Sequence, residues 1–211
     1  MPLVSKTERP HSPPPRRKAA SLADPAPDQR RLAVRAMAGQ ADAAEVLGAH
    51  LPDETDPSVR AAIFDVLVQT ATPAALSQIL RHLRSDDTEL RNDAVVAAQR
   101  LPHLIAPAIE ALLCDPDPDL RLFGVRILED LPHPQVLDWL SAVLWHEPDR
   151  NVVAAALDVL AECGTAGMLP AVAAARDRFA DCGFIGFACD FVAARMGTPQ
   201  APAQGPSRNG R

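Results

Sequence analysis

Apolar residues recur along this chain three and four positions apart, in blocks separated by short runs of Pro, Gly, Asp and Thr. That period lays one apolar stripe along one face of a helix, so the blocks predict amphipathic helices throughout. The blocks also repeat. DPSVRAAIFDVL at 56–67 and DPDPDLRLFGVRIL at 115–128 both write Asp-Pro, an apolar residue, Arg, and a Leu seven positions after the Arg. Aligned on that phrase, units start at Ala26, Asp56, Asp87, Asp117, Asp149 and Asp181, in steps of 30, 31, 30, 32 and 32 residues. An Asp at the first position accepts orphan N–H groups of a helix start, and the proline that follows it in some units (Pro57, Pro118) has no N–H to leave unpaired.

Within each unit the fourth position is apolar (Val59, Leu90, Leu120, Val152, Phe184) and the fifth is Arg in four copies (Arg30, Arg60, Arg91, Arg121). The eighth is small in five copies (Ala33, Ala94, Gly124, Ala156, Ala188), with Ile63 the exception, and the twelfth is apolar (Met37, Leu67, Ala98, Leu128, Leu160, Val192). Positions four apart share a helix face, and a small residue there lets a neighbouring helix come close. Short turns such as TATP, RLPH and LPHP then lead to second helices over 42–51, 73–84, 103–114, 134–146 and 166–179. A two-helix unit cannot bury its apolar face alone, so neighbours must stack. The last unit has only its first helix, in which Phe184, Phe187 and Phe191 are expected to cap the open end.

The unit D-P-x-[V/L]-R-x-x-[A/G]-x-x-x-L, a turn and a second helix resembles the HEAT repeat, in the short variety associated with phycobilin lyases. The fold expected is all-α: an α-solenoid of about five two-helix HEAT-like repeats over 26–196 plus a C-terminal capping helix. Polar, Pro-rich tails at 1–25 and 197–211 are expected to be disordered. The resemblance implies a structural ladder between adjacent repeats made by Asp56, Asp87, Asp117, Arg60, Arg91 and Arg121. Units five and six carry Val153 and Ile185 in place of the Arg, so the ladder is expected to stop there.

Composition sharpens this picture. Hydrophobic residues make up 47% of the chain but aromatics only 4%, so the core must be built from Ala, Leu and Val, which suits close helix packing. Residues 1–25 carry +3 and 197–211 carry +2, so the overall charge of −6 leaves −11 on residues 26–196, which contain no Lys. So acidic a body repels phosphate backbones and disfavours nucleic acid as a partner. No apolar run is long enough to span a bilayer, and the N-terminus lacks the apolar segment of a secretory signal. The four Cys show no CxxC spacing, which fits reduced thiols in a cytoplasmic protein.

Catalytic chemistry finds no support in the motifs. The resemblance includes a di-iron hydroxylase, but this chain has one His-Glu pair, His146-Glu147, where such a site needs many converging ligands. It also includes alkylpurine DNA glycosylases, whose basic groove the acidic body does not match. His103 and His133 follow Leu-Pro in adjacent units, but no third ligand recurs beside them, and both read as turn residues. Cys182 and Cys189, seven apart, read as small apolar residues of the last helix. Neither a cofactor nor a metal is expected, and no enzyme.

The function expected is that of an adaptor or scaffold binding another protein through its second-helix, concave face. The resemblance leaves an alternative: an accessory factor in cofactor or pigment handling. The local candidates are Trp139, Trp145 and His146, joined by Gln78, Arg81, Arg84 and Asp138. Trp offers much contact area at low entropic cost. Two readings of the Trp pair stay open, partner anchors or core between units; Trp145, next to the HEPD link, is the one expected to be more buried.

Overall fold

The computed structural model describes residues 21–197. Expectations for residues 1–20 and 198–211 therefore lie outside the described residues. The first helices of successive units are α1 (Pro27–Ala36), α3 (Pro57–Thr70), α5 (Thr88–Gln99), α7 (Pro118–Glu129), α9 (Arg150–Cys163) and α11 (Gly183–Gly197). Between them run the second helices α2 (Ala43–His50), α4 (Pro73–Arg81), α6 (Pro102–Leu113), α8 (Val136–His146) and α10 (Leu169–Arg178). The first helices pack in a row, each on the next, from α1 to α11. The architecture is an all-α solenoid. Ser21–Pro25 belong to it, for Leu22 packs against the core.

Each expected Asp cap from unit two to unit five is in place. Asp56 accepts from the amides of Ser58 and Val59, Asp87 from Glu89 and Leu90, Asp117 from Asp119, and Asp149 from Asn151 and Val152, at 2.7–3.3 Å. The repeating core positions are buried as well: Val59, Leu90, Leu120 and Val152 all face inward, with Ala94, Gly124 and Ala156 at the close approaches. A Cβ on Gly124 would stand 3.1 Å from Leu113, so the fit between α6 and α7 leaves little room there. α3 ends on Ala71 in the left-handed conformation (φ 47°), which turns the chain into Thr72, the cap of α4.

A second device locks each link. The side chain two residues before the cap accepts the cap residue's own amide in five successive units. Asp24 takes Ala26, Glu54 takes Asp56, Ser85 takes Asp87, Asp115 takes Asp117 and Glu147 takes Asp149, at 2.8–3.2 Å. The backbone carbonyl of that same residue accepts from the unit's Arg: Asp24 from Arg30, Glu54 from Arg60, Ser85 from Arg91 and Asp115 from Arg121. The guanidinium thus ties the start of its helix to the link that precedes it.

The far end of each guanidinium makes the ladder, and here the expectation needs correction. Only Arg60 pairs with the next unit's cap, reaching Asp87 at 2.6 Å. Arg30 and Arg121 instead grip both oxygens of a buried glutamate two residues before it, Glu54 at 2.8 and 2.8 Å and Glu147 at 2.9 and 2.8 Å. Glutamate supplies two acceptors to the planar fork, which the short cap Asp, turned toward its own helix, does not. Asp56 therefore only caps. Arg91 does not cross to Asp117 at all; it turns back to Ser85 and Thr88 and lies 5.8 Å over the Phe123 ring. Asp117 has Arg84 as its nearest cation instead, at 3.8 Å.

The last unit shifts by one residue. α11 is entered at Cys182, whose carbonyl accepts from Gly186, and the Asp181 side chain accepts no helix-start amide among the described residues. Ile185 and Cys189 are buried in place of Phe184 and Ala188. Phe184, Phe187 and Phe191 do not close the end of the stack; all three point to solvent.

Glu54 gives the ladder a pH dependence. The hydrogen bonds from Arg30, helped by the Asp56 amide, lower its carboxyl from 4.5 to about 2. The stabilisation is complete above the unfolded carboxyl's range and disappears as pH falls from about 4.5 toward 2. Glu54→Gln should cost roughly 3 kcal/mol at neutral pH. Denaturant titrations repeated from pH 7 downward should show the two proteins converging in that acid window.

Candidate partner-binding cleft

The second helices stack less evenly than the first. α2 packs on α4, α4 on α6 and α8 on α10, but α6 leans on α7 and is not packed closely against α8. Pro107 sits inside α6, where it cannot complete the helical hydrogen bond. Pro132 and Pro134 occupy the link before α8, which starts only at Val136. A cleft of about 420 Å³ opens between the C-terminal ends of α6 and α8. Leu113, Cys114, Ala142, Val143 and His146 line it, with the Arg121–Glu147 pair among its walls.

The two Trp part company, in the opposite sense to the expectation. Trp139 is 6% exposed and stacks on His133 with ring centroids 5.0 Å apart. It is core, not a partner anchor. Trp145 is 47% exposed and follows Asp138 and Ala142 along the solvent face of α8. The HEPD link does not cover it, because Glu147 turns inward to Arg121 and leaves the preceding turn at the surface. His146 shares the face of Trp139, but it lies at the end of the helix where α6 has moved away, and so it lines the cleft.

The remaining candidates divide similarly. Arg81 is exposed and donates to Gln78 at 3.1 Å. Gln78 lies so close over Gly48 that a Cβ there would meet it at 2.4 Å; it is a packing residue between α2 and α4. Arg84, at the end of unit two, is held at 2.8 Å by Asp115 in the link that closes unit three, taking part of the role left open by Arg91. Of the proposed set, then, Asp138, Trp145 and His146 come together on one helix, Arg81 stands two helices away, and Trp139, Gln78 and Arg84 serve the fold.

Arg178 escaped the sequence reading. From α10 it donates to the carbonyls of Trp145 and Glu147, both at 3.0 Å, and its guanidinium lies 5.1 Å over Phe179. A cation on the last carbonyls of a helix satisfies orphan acceptors and complements the dipole, so Arg178 fixes the end of α8 that carries Trp145 and His146. The signal available was a basic residue in the last turn of the adjacent second helix.

His133 accepts from the Gln135 amide at 3.3 Å, as a turn residue does, and His103 is exposed. Burial pushes the Cys189 thiol up, which disfavours its nucleophilic form. No group of three or more His, Cys, Asp and Glu that could hold a metal ion is assembled among the described residues.

The family model for HEAT repeats matches residues 14–99 and 105–181. The chain belongs to the HEAT-repeat family. HEAT repeats are generally protein-interaction scaffolds, and the solenoid they build is typically non-catalytic. A crystal structure of an engineered protein is similar over 83% of this HEAT-repeat chain and 93% of its own, at 16% identity and a TM-score of 0.37. A search of curated protein sequences finds no match. No helix among the described residues is long and apolar enough to cross a membrane.

Burial makes the two Trp separable by experiment. Trp139→Ala should destabilise the HEAT array by about 3–5 kcal/mol, whereas Trp145→Ala should change stability by less than about 0.5 kcal/mol. Denaturation followed by far-UV circular dichroism reads both.

Proposed function

We propose that this protein is a scaffold that binds another protein on its second-helix face, with the α6–α8 cleft as the principal contact. The observation that carries the reading is the cleft itself, apolar through Leu113, Ala142 and Val143 and flanked by exposed Trp145. A concave apolar pocket beside an exposed Trp on a rigid helix suits an apolar anchor projecting from a partner's helix or loop. His146 and Asp138 add polar groups at the margin that can orient such a segment, and Arg81 extends the surface toward unit two. The reading places the scaffold in the cytoplasm, where its four free thiols remain reduced.

Capture from a cell extract with the full-length protein immobilised tests this. Trp145→Ala and Ala142→Arg should each cut recovery of at least one specific protein by roughly tenfold, while Asp158→Ala, on the first-helix face, should leave it unchanged. Equal recovery of every captured protein by all four baits would remove the cleft from the proposal.

A further inference from the structure

The chain has six Phe, and three of them form one exposed row on α11. Phe184, Phe187 and Phe191 are 65%, 71% and 54% exposed. Truncation of the stack does not explain the row. Counted from Cys182, these are positions three, six and ten of the unit. Other units keep position three polar, as in Asp28, Ser58, Glu89, Asp119 and Asn151, and place Arg35, Asp65, Arg126 and Asp158 at position ten, with the exposed Val96 of unit three the exception. The face that would receive a seventh unit is a different one, and it is closed. Position nine is buried and apolar in units one to five (Val34, Phe64, Val95, Val125, Leu157), but in α11 it is Asp190, paired with Arg176 at 2.7 Å. Position five, the ladder Arg of units one to four, is Gly186. The array ends with a polar cap, as solenoids require, and the Phe row faces elsewhere.

We propose that this face of α11 pairs with α11 of a second copy, antiparallel about a two-fold axis passing near residues 187 and 188. The pattern is self-complementary under that operation. Phe184 of one copy meets Phe191 of the other, and Phe187 meets Phe187. Asp181 and Arg195 lie seven positions either side of residue 188, at about 10 Å from the axis along the helix, so each Asp181 meets the other copy's Arg195. Arg195 shares the side of α11 that carries Phe184 and Phe191, and its contact to Glu162 is loose, at 3.6 Å between two exposed side chains. Asp181 makes no ion pair among the described residues. An isologous interface demands such self-matching, because one patch supplies both sides.

The area sets the strength. Three Phe exposed to about this degree offer on the order of 350–400 Å² per copy, about half the ~800 Å² per partner of a standard stable interface. The dimer is therefore a weak one, with a dissociation constant in the roughly micromolar to hundred-micromolar range.

Sedimentation equilibrium of the full-length protein from about 1 to 500 μM, a span chosen around that range, is the test. The wild type should pass from monomer to dimer mass. Phe187→Glu, at an exposed position whose melting curve should match the wild type, should remain monomeric. Asp181→Arg and Arg195→Asp should each weaken association by about tenfold, and the double variant Asp181→Arg/Arg195→Asp should regain it. A wild type that stays monomeric throughout overturns the proposal, as does dimerisation undiminished by Phe187→Glu. A monomer that dimerises only once residues 198–211 are removed would assign the face to the chain's own tail and would equally overturn it. None of these outcomes bears on the cleft at α8, which lies on a different helix.

Discussion

One arginine position carries the coupling between neighbouring units. Its guanidinium donates backward to the carbonyl of the link that introduces its own helix and, in three of four copies, forward to a carboxylate, either the next unit's cap Asp or the glutamate of the link just before that cap. The same link residue accepts the cap amide through its side chain, so one short segment holds the helix start and the ladder together. Hydrophobic stacking alone would leave each helix free to slide along its neighbour. Charged hydrogen bonds at fixed sites remove that freedom, and their burial at Glu54 and Glu147 makes any displacement costly, because it would strand a carboxylate away from water.

Where that coupling lapses, the surface changes. Arg91 turns back on its own unit, and Arg84, from the end of a second helix, bridges to Asp115 in its place. Immediately beyond that junction α6 leans on α7, α8 joins α9 and α10, and the cleft opens between them. Arg121 then restores the ladder through Glu147, which also borders the cleft. The candidate binding surface thus sits beside an intact rung, on the end of a helix that Arg178 holds from the other side. A pocket on a rigid frame presents its side chains without an ordering cost at the moment of binding.

The period and the Asp caps made the solenoid legible from the residues alone: the starts of α3, α5, α7 and α9 fall where their Asp predicts. α11 slipped by one because Asp181 looked like another cap, while the burial of Ile185 and Cys189 required the helix to begin from Cys182. The glutamates of the ladder were hidden by their place in the links, although Asp24, Glu54, Ser85, Asp115 and Glu147 do recur two residues before each cap. Recognising them needs the knowledge that a cap amide is itself a donor in want of an acceptor. The Trp pair was misjudged for another reason. Helical spacing places residues on a face, but whether that face is covered depends on the neighbouring helix, and nothing in the spacing of Trp139 and His146 announces that α6 moves aside at one end of α8.

Amide hydrogen exchange at the cap residues interrogates the links most directly. If the carboxylates of Glu54 and Glu147 hold the Asp56 and Asp149 amides as part of the cooperative fold, those two amides should exchange only at the rate of global opening, together with the core amides of α3 and α9. Exchange at the rate of an unstructured peptide, with the helices still protected, would show that the links are loose and that the arginine ladder does not bind the units together.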